Sequence, residues 1–257
     1  MNRNIHKHKN MKTLLLTLLA LSVVGLTGRS SAATIAVTNT SANILEDTSN
    51  NGAFTHTLSN WSLNGGNAIV VYFSGENTTN VTAQYGTEAL TIVETTGFGN
   101  DHVAAIGYII NPTLSTADLD VTWVAGSNSE NMITAISLEN VDSVVASSST
   151  GGNLSFNYTT AGNGGFVVGN ATNNSFNFSS PPTVTSSNLD TNVFYSNISG
   201  NSSALQTYGV IDTAGSYTDT YANSVVSSGV AFEAIPEPSS FALTMVVLGG
   251  FLLRRRR

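Results

Sequence analysis

The groups most suited to chemistry in the middle of this 257-residue chain are carboxylates and tyrosines. There is no cysteine, and between Thr34 and Ile235 the only histidines are His56 and His102. In Ser216-Tyr-Thr-Asp-Thr-Tyr-Ala222 the strand period of two places Tyr217, Asp219 and Tyr221 on one face, opposite Thr218 and Thr220. Carbohydrate sites often combine an aromatic platform with carboxylate and amide hydrogen bonds, so this trio is a candidate glycan-binding set. The competing arrangement turns both tyrosines inward with their hydroxyls reaching a rim. An aspartate between them argues against full burial. A second pair, Asp118 and Asp120, lies two residues apart on one strand face, about 7 Å at the usual strand rise. That separation falls within the roughly 6.5–9.5 Å of an inverting glycosidase pair. The same two oxygen-rich side chains are weak candidates for a structural Ca²⁺. With fifteen acids in the interior, however, such pairs arise freely, and a solvated strand face is the simpler reading.

Other catalytic patterns are missing from the sequence. Two distant histidines without H-E-x-x-H do not make a catalytic zinc site. Asp101 and His102 are adjacent, so in a strand they point to opposite faces. There is no G-x-S-x-G elbow, and no EF-hand loop surrounds the further calcium candidates Glu46-Asp47 and Asn100-Asp101. These readings predict a protein that is not an enzyme and needs no cofactor, a structural Ca²⁺ aside.

The formal net charge of -7 conceals a sharp segregation. All nine basic residues sit at the ends: Arg3, Lys7, Lys9, Lys12 and Arg29, then Arg254, Arg255, Arg256 and Arg257. From Thr34 to Ile235 there is no Lys or Arg, against fifteen Asp and Glu. Recognition of nucleic acid through a basic surface is thereby excluded. Such a domain repels anionic polymers, so association with an acidic polysaccharide is expected only through Ca²⁺ or Mg²⁺.

The elements that must position these groups read as strands. Ser, Thr and Asn make up 81 of the 202 residues from Thr34 to Ile235, yet short β-branched and aromatic runs recur throughout. Strands are expected at Asn67–Phe73, His102–Ile110, Asp118–Val124, Met132–Leu138, Gly165–Val168 and Val225–Phe232, bounded by Gly, Asn, Ser or Pro. In Asp118–Val124, Leu119, Val121 and Trp123 alternate with Asp118, Asp120 and Thr122, as expected with one buried and one wet face. No interior stretch keeps an apolar 3.6 period for three turns. The expected fold is all-β, an antiparallel β-sandwich over 34–234, flanked by an N-terminal signal helix (1–33) and a C-terminal hydrophobic helix (235–257). The span Phe54–Asp142 resembles a β-sandwich module common in bacterial secreted and surface proteins. The likeness lies in "NAIVVYFS" at Asn67–Ser74, "VTAQYGTEALT" at Val81–Thr91, "GYIINPTLSTADLDVTW" at Gly107–Trp123 and "ITAISLENVD" at Ile133–Asp142. It implies a jelly-roll-like or lectin-like sandwich and transfers no catalytic residue. Thr150–Ile235 follows the pattern more loosely, leaving room for a separate small domain.

Both ends look like addresses. Basic residues precede an apolar run from Leu14 to Leu26, and Ser31-Ala32-Ala33 supplies a cleavage site for signal peptidase. Met11-Lys12-Thr13 followed by leucines makes an alternative start. At the other end, Pro236-Glu237-Pro238 leads into a thirteen-residue apolar run, Phe241–Leu253, and then four arginines. As a helix this run spans about 20 Å, short of the roughly 30 Å hydrocarbon core. Flanking serines and snorkelling arginines narrow the gap. The arginines would hold its C-terminus in the cytoplasm with the preceding domain outside. The succession of proline motif, short anchor and basic stop resembles the PEP-CTERM sorting signal of Gram-negative exported proteins. That resemblance implies recognition of Pro236, Glu237 and Pro238 by a membrane exosortase, with Arg254–Arg257 as the membrane stop. It further implies transient residence in the inner membrane, and delivery to the cell surface or an exopolysaccharide-rich biofilm matrix.

Overall fold

The computed structural model describes residues 33–42, 44–48, 51–97, 102–174, 182–186, 192–197 and 202–236. Apart from Ala33, Ile235 and Pro236, both expected targeting segments, including Glu237, Pro238 and Arg254–Arg257, lie outside the described residues, as do both expected terminal helices. Residues Ala32–Ile235 form one compact unit.

The described residues contain strands and turns only. In chain order the strands are β1 (Ala36–Thr40), β2 (Ile44–Thr48), β3 (Gly52–Ser62), β4 (Ala68–Tyr85), β5 (Glu88–Ala89), β6 (Thr91–Gly97), β7 (His102–Ile110) and β8 (Thr116–Glu139). They continue with β9 (Val141–Gly151), β10 (Leu154–Thr160), β11 (Gly165–Asn174), β12 (Thr183–Thr185), β13 (Asn192–Asn197), β14 (Ser202–Ile211), β15 (Gly215–Ala222) and β16 (Val226–Ala234). Every pairing among the described strands is antiparallel. The first sheet has the order β1-β8-β4-β7-β6, with β2 and β3 on β8 and β5 on β4; the second runs β13-β14-β11-β16-β9, and the third β10-β15-β12.

Two strands are unusually long. β8 has 24 residues and joins Asp118–Val124 to Met132–Leu138, which the sequence reads as separate strands. Its partner β4 has 18, well above the common strand length of five or six. Both bend at the same level, where the β4–β8 register shifts between Glu76 and Thr78 and again between Thr79 and Thr82. Asn77 and Asn80 occupy left-handed backbone there, which asparagine tolerates better than most residues. The bend is held by a buried polar cluster. The Thr78 and Ser129 hydroxyls lie 2.7 Å apart, and the Asn131 amide bridges them at 2.7 and 3.0 Å. Beyond the bend the two halves of the sheet face each other. Ile69, Val71, Phe73, Ile133 and Ala135 from one half share a core with Val81, Ala83, Tyr85, Leu119, Val121 and Trp123 from the other. Trp61 ties the halves together by donating from its indole Nε1 to Ser137 Oγ at 2.9 Å.

The opposite face of the first sheet packs Val70, Tyr72, Ile106 and Ile136 on Phe166, Val168, Val230 and Phe232 of the second. The second sheet turns its other face, with Val167, Ala171, Leu205 and Ala231, toward Leu154, Phe156, Tyr158 and Tyr221 of the third. The latter half of the chain is thus packed into the same unit rather than standing apart. This stacking explains two kinds of strand sequence. Inner strands are buried on both faces, and Ala68–Gly75 and Val226–Phe232 are solidly buried runs. Outer strands alternate, as in β10, where Leu154, Phe156, Tyr158 and Thr160 are buried and the residues between them exposed. Between the first two sheets the buried Asn170 donates to the carbonyls of Phe73 at 2.8 Å and Ala105 at 3.1 Å, and accepts from Ser74 Oγ at 2.6 Å. A polar side chain at such an interface is tolerable only when paired in this way.

Candidate functional site

β15 obeys the expected alternation, and its Tyr217–Asp219–Tyr221 face is the inward one. Tyr221 is fully buried. It penetrates the second sheet beside Gly169, where any side chain would overlap its hydroxyl, and its oxygen lies 3.0 Å from Thr207 Oγ1. Asp219 is also fully buried. Tyr158 donates to its Oδ2 at 3.0 Å, while Oδ1 has no hydrogen-bond partner among the described residues. Burial pushes the Asp219 carboxyl above its ordinary range, against the smaller opposing effect of hydrogen bonds from Ser186 and Tyr158. The tyrosines respond the same way: burial raises Tyr158 and Tyr221 far above an ordinary phenol. Asp219 and Tyr221 are therefore core residues here, and the expected open surface trio is corrected to one emergent side chain. The reason is packing: cross-strand neighbours Phe156 and Leu154 flank them, and the second sheet lies beneath.

Tyr217 is half-buried and emerges at the margin. Its hydroxyl donates to the Thr213 carbonyl and accepts from Thr213 Oγ1. Its ring lies against Tyr158 at a centroid distance of 5.7 Å, and Tyr158 in turn against Phe156 at 5.2 Å. Beside it runs a groove of about 380 Å³, lined by Val145 and Ala146 of β9, Asn157, Tyr158 and Thr159 of β10, and Ser216, Tyr217 and Thr218 of β15. In this register Asn157 pairs with Thr218, Tyr158 with Tyr217 and Thr159 with Ser216; the two tyrosine side chains take the inward face and the other two pairs the outer face. Thr218 Oγ1 donates to Asn157 Oδ1 at 2.6 Å, and the Thr159 and Ser216 hydroxyls lie 2.9 Å apart. The outer face of the third sheet, opposite the Tyr217 ring, is polar and uncharged: Ser155, Asn157, Thr159, Thr183, Thr185, Ser216, Thr218 and Thr220 are all exposed.

No protein-family model, curated protein or solved structure matches this chain. The site must therefore be read on its own geometry.

Asp118 and Asp120 lie on β8 away from this groove, each already engaged. The Asn60 backbone N–H donates to Asp118 Oδ1 at 2.8 Å. Thr57 Oγ1 donates to Asp120 Oδ1 at 2.6 Å, and Gln84 Nε2 to Oδ2 at 3.3 Å. Asp120 also borders a smaller groove of about 190 Å³ with Thr82, Gln84 and Thr122. Among the described residues there is no group of three or more His, Cys, Asp or Glu able to hold a metal ion. The side chains of Glu46 and Asp47, and all of Asn100–Asp101, lie outside the described residues. His102 is buried in β7, and His56 stands on β3 opposite Val121. Sequence reasoning singled out Tyr217 but passed over Asn157, Tyr158 and Thr159. The available signal was the alternation in Leu154–Thr160; its pairing with Ser216–Thr218, some sixty residues on, had no local mark.

Proposed function

We propose that this chain is an exported cell-surface or extracellular-matrix protein with a non-enzymatic structural or adhesive role linked to exopolysaccharide. It would be delivered through a PEP-CTERM-type signal after removal of the N-terminal leader, and its sheets would form a layered β-sandwich of the jelly-roll-like class. One observation supports this reading most: the compact unit, Ala32–Ile235, coincides with the stretch between the two targeting segments. Its ends are tied to the fold, Ala33 N–H donating to the Ile235 carbonyl at 3.2 Å and Ile235 N–H to Asn140 O at 2.9 Å. Cleavage after Ala32 or Ala33 and near Pro236 would leave the sheets intact. A structural role also suits Asp219, which is bonded to the groove residue Tyr158 yet sealed in the core and out of reach of a substrate.

The test is fractionation in a Gram-negative host that carries an exosortase. The parent chain is expected at the surface or in the medium, and the Pro236→Ala/Pro238→Ala variant held in the membrane fraction. Identical distribution of the two would contradict the sorting role. A second reading, carbohydrate binding, is favoured by the groove beside Tyr217, whose ring is held at the margin by Thr213 and Tyr158.

A further inference from the structure

The geometry points to Asn51-Gly52 as a site of spontaneous covalent modification: loss of the Asn51 side-chain amide through a cyclic imide, leaving aspartate or isoaspartate at position 51. The site lies apart from the groove and from both targeting segments, and its chemistry holds whether or not the chain is exported.

The chain holds three Asn-Gly pairs, Asn51-Gly52, Asn64-Gly65 and Asn163-Gly164. Asparagine before glycine is the pair most open to this reaction, because no Cβ shields the attacking glycine nitrogen and the backbone turns freely. Sequence alone treats the three alike; the fold does not. Asn163 is restrained on both sides of the bond that would form. Its Oδ1 accepts from the Ala214 N–H at 2.8 Å, and the Gly164 N–H is committed to the Ile211 carbonyl at 2.8 Å. Asn64 and Gly65 are the central residues of a tight turn, with φ of 50° and 86°, closed by the Gly66 N–H on the Leu63 carbonyl at 2.8 Å. Asn64 Nδ2 also donates to the Thr38 carbonyl at 3.3 Å, and the Asn64 backbone N–H to Ser62 Oγ at 3.2 Å. Closing the imide ring requires Asn64 to leave its left-handed turn conformation, which breaks the bond that closes the turn.

Asn51 has none of these restraints. It is exposed, and its side chain makes no hydrogen bond among the described residues. Gly52 is the first residue of β3 and pairs with Ala125 as the last rung of the β3–β8 ladder, where strands fray first. A frayed rung leaves the Gly52 nitrogen free to react. It gives up its proton to base and attacks Asn51 Cγ. The N–Cγ bond forms, the Cγ–Nδ2 bond breaks, and ammonia departs with one proton in exchange. Water then opens the imide at either carbonyl carbon. One opening gives aspartate; the other gives isoaspartate, with the main chain routed through the former side chain. Either product adds a carboxylate to an interior that already holds fifteen. Isoaspartate also inserts a methylene into the backbone just before the Ala53–Val124 and Phe54–Trp123 pairs, loosening the head of β3 beside the Phe54–Trp123 ring stack.

The experiment is ageing of the purified full chain in warm, mildly alkaline buffer, followed by peptic digestion and mass spectrometry, with isoaspartate counted by an isoaspartyl methyltransferase. The native protein is expected to exchange amide for acid first at Asn51, with Asn64 and Asn163 at least about tenfold slower. Mildly acidic buffer should slow the conversion, since it depends on base. Asn51→Gln, whose longer side chain closes the ring far less readily, should abolish the early conversion. Asn51→Ser serves as the second variant, and thermal unfolding is recorded for each. In concentrated urea the three pairs should react at similar rates, because the bonds that protect Asn64 and Asn163 are gone. Absence of conversion at Asn51 in the native protein, earlier conversion at Asn64 or Asn163, or the same ranking with and without urea would each overturn the assignment.

Discussion

Asp219 is the residue whose placement has the clearest measurable consequence. An acid with a raised folded pKa holds its proton more tightly when native than when unfolded. Its contribution to stability is fully present below the ordinary aspartate value of about 3.9 and is lost as pH rises through the higher folded value. Stability should therefore decline across that interval. Asp219→Asn keeps an oxygen for the Tyr158 hydroxyl and removes the titration. It is expected to flatten the decline and raise Tm at neutral pH relative to the parent. Thermal scans of both proteins from acid to neutral pH provide the check, and parallel profiles would contradict a buried titrating Asp219. The sequence had already placed Tyr217, Asp219 and Tyr221 on one face. Which side that face took was not legible, because an aspartate between tyrosines resembles a solvated edge until a second sheet covers it.

Among the elements, the interlock between the second and third sheets depends on two facing glycines. Gly169 on β11 pairs with Gly229 on β16, opening a trough into which Tyr221 and Phe156 insert from the third sheet. Adding a methyl group at Gly169 meets the Tyr221 hydroxyl and at Gly229 the Phe156 ring, and neither has room to retreat within a packed interior. Gly169→Ala is expected to cost about 1–3 kcal/mol, typical of overpacking. Urea unfolding should report it as a lower midpoint with an unchanged slope; an unchanged midpoint would mean the sheets separate more easily than their packing suggests. Strand existence was readable from β-branched and aromatic runs, and the turn at Asn111 from its Asn-Pro pair. Strand length was not. Ala125–Asn131 has the composition of a loop, yet β8 continues through it because β4 pairs with it on either side, at Ala125 and at Glu130–Asn131, and the Thr78–Ser129–Asn131 cluster satisfies the bend. Likewise, the burial of Ala68–Phe73 on both faces was not legible, because the layers that cover it come from segments far along the chain.

The whole molecule is governed by its charge segregation. Lys and Arg are confined to the two ends of the chain, so removal of the proposed targeting segments would leave a domain with fifteen acids, no basic side chain but histidine, and no Lys or Arg ion pairs for stability. Packing and backbone pairing must carry the fold, which is consistent with stacked sheets whose inner strands are buried on both faces. A further consequence is resistance to proteases specific for Lys and Arg, since no such bond exists between Thr34 and Ile235. On the function proposed above, both address segments are removed around the compact unit. Intact-mass measurement of the extracellular form from an exosortase-bearing host tests it most directly. The expected species starts near Ala33 and ends near Pro236, with no mass change on trypsin treatment even after denaturation. An extracellular species that retains the apolar run and Arg254–Arg257 would contradict it.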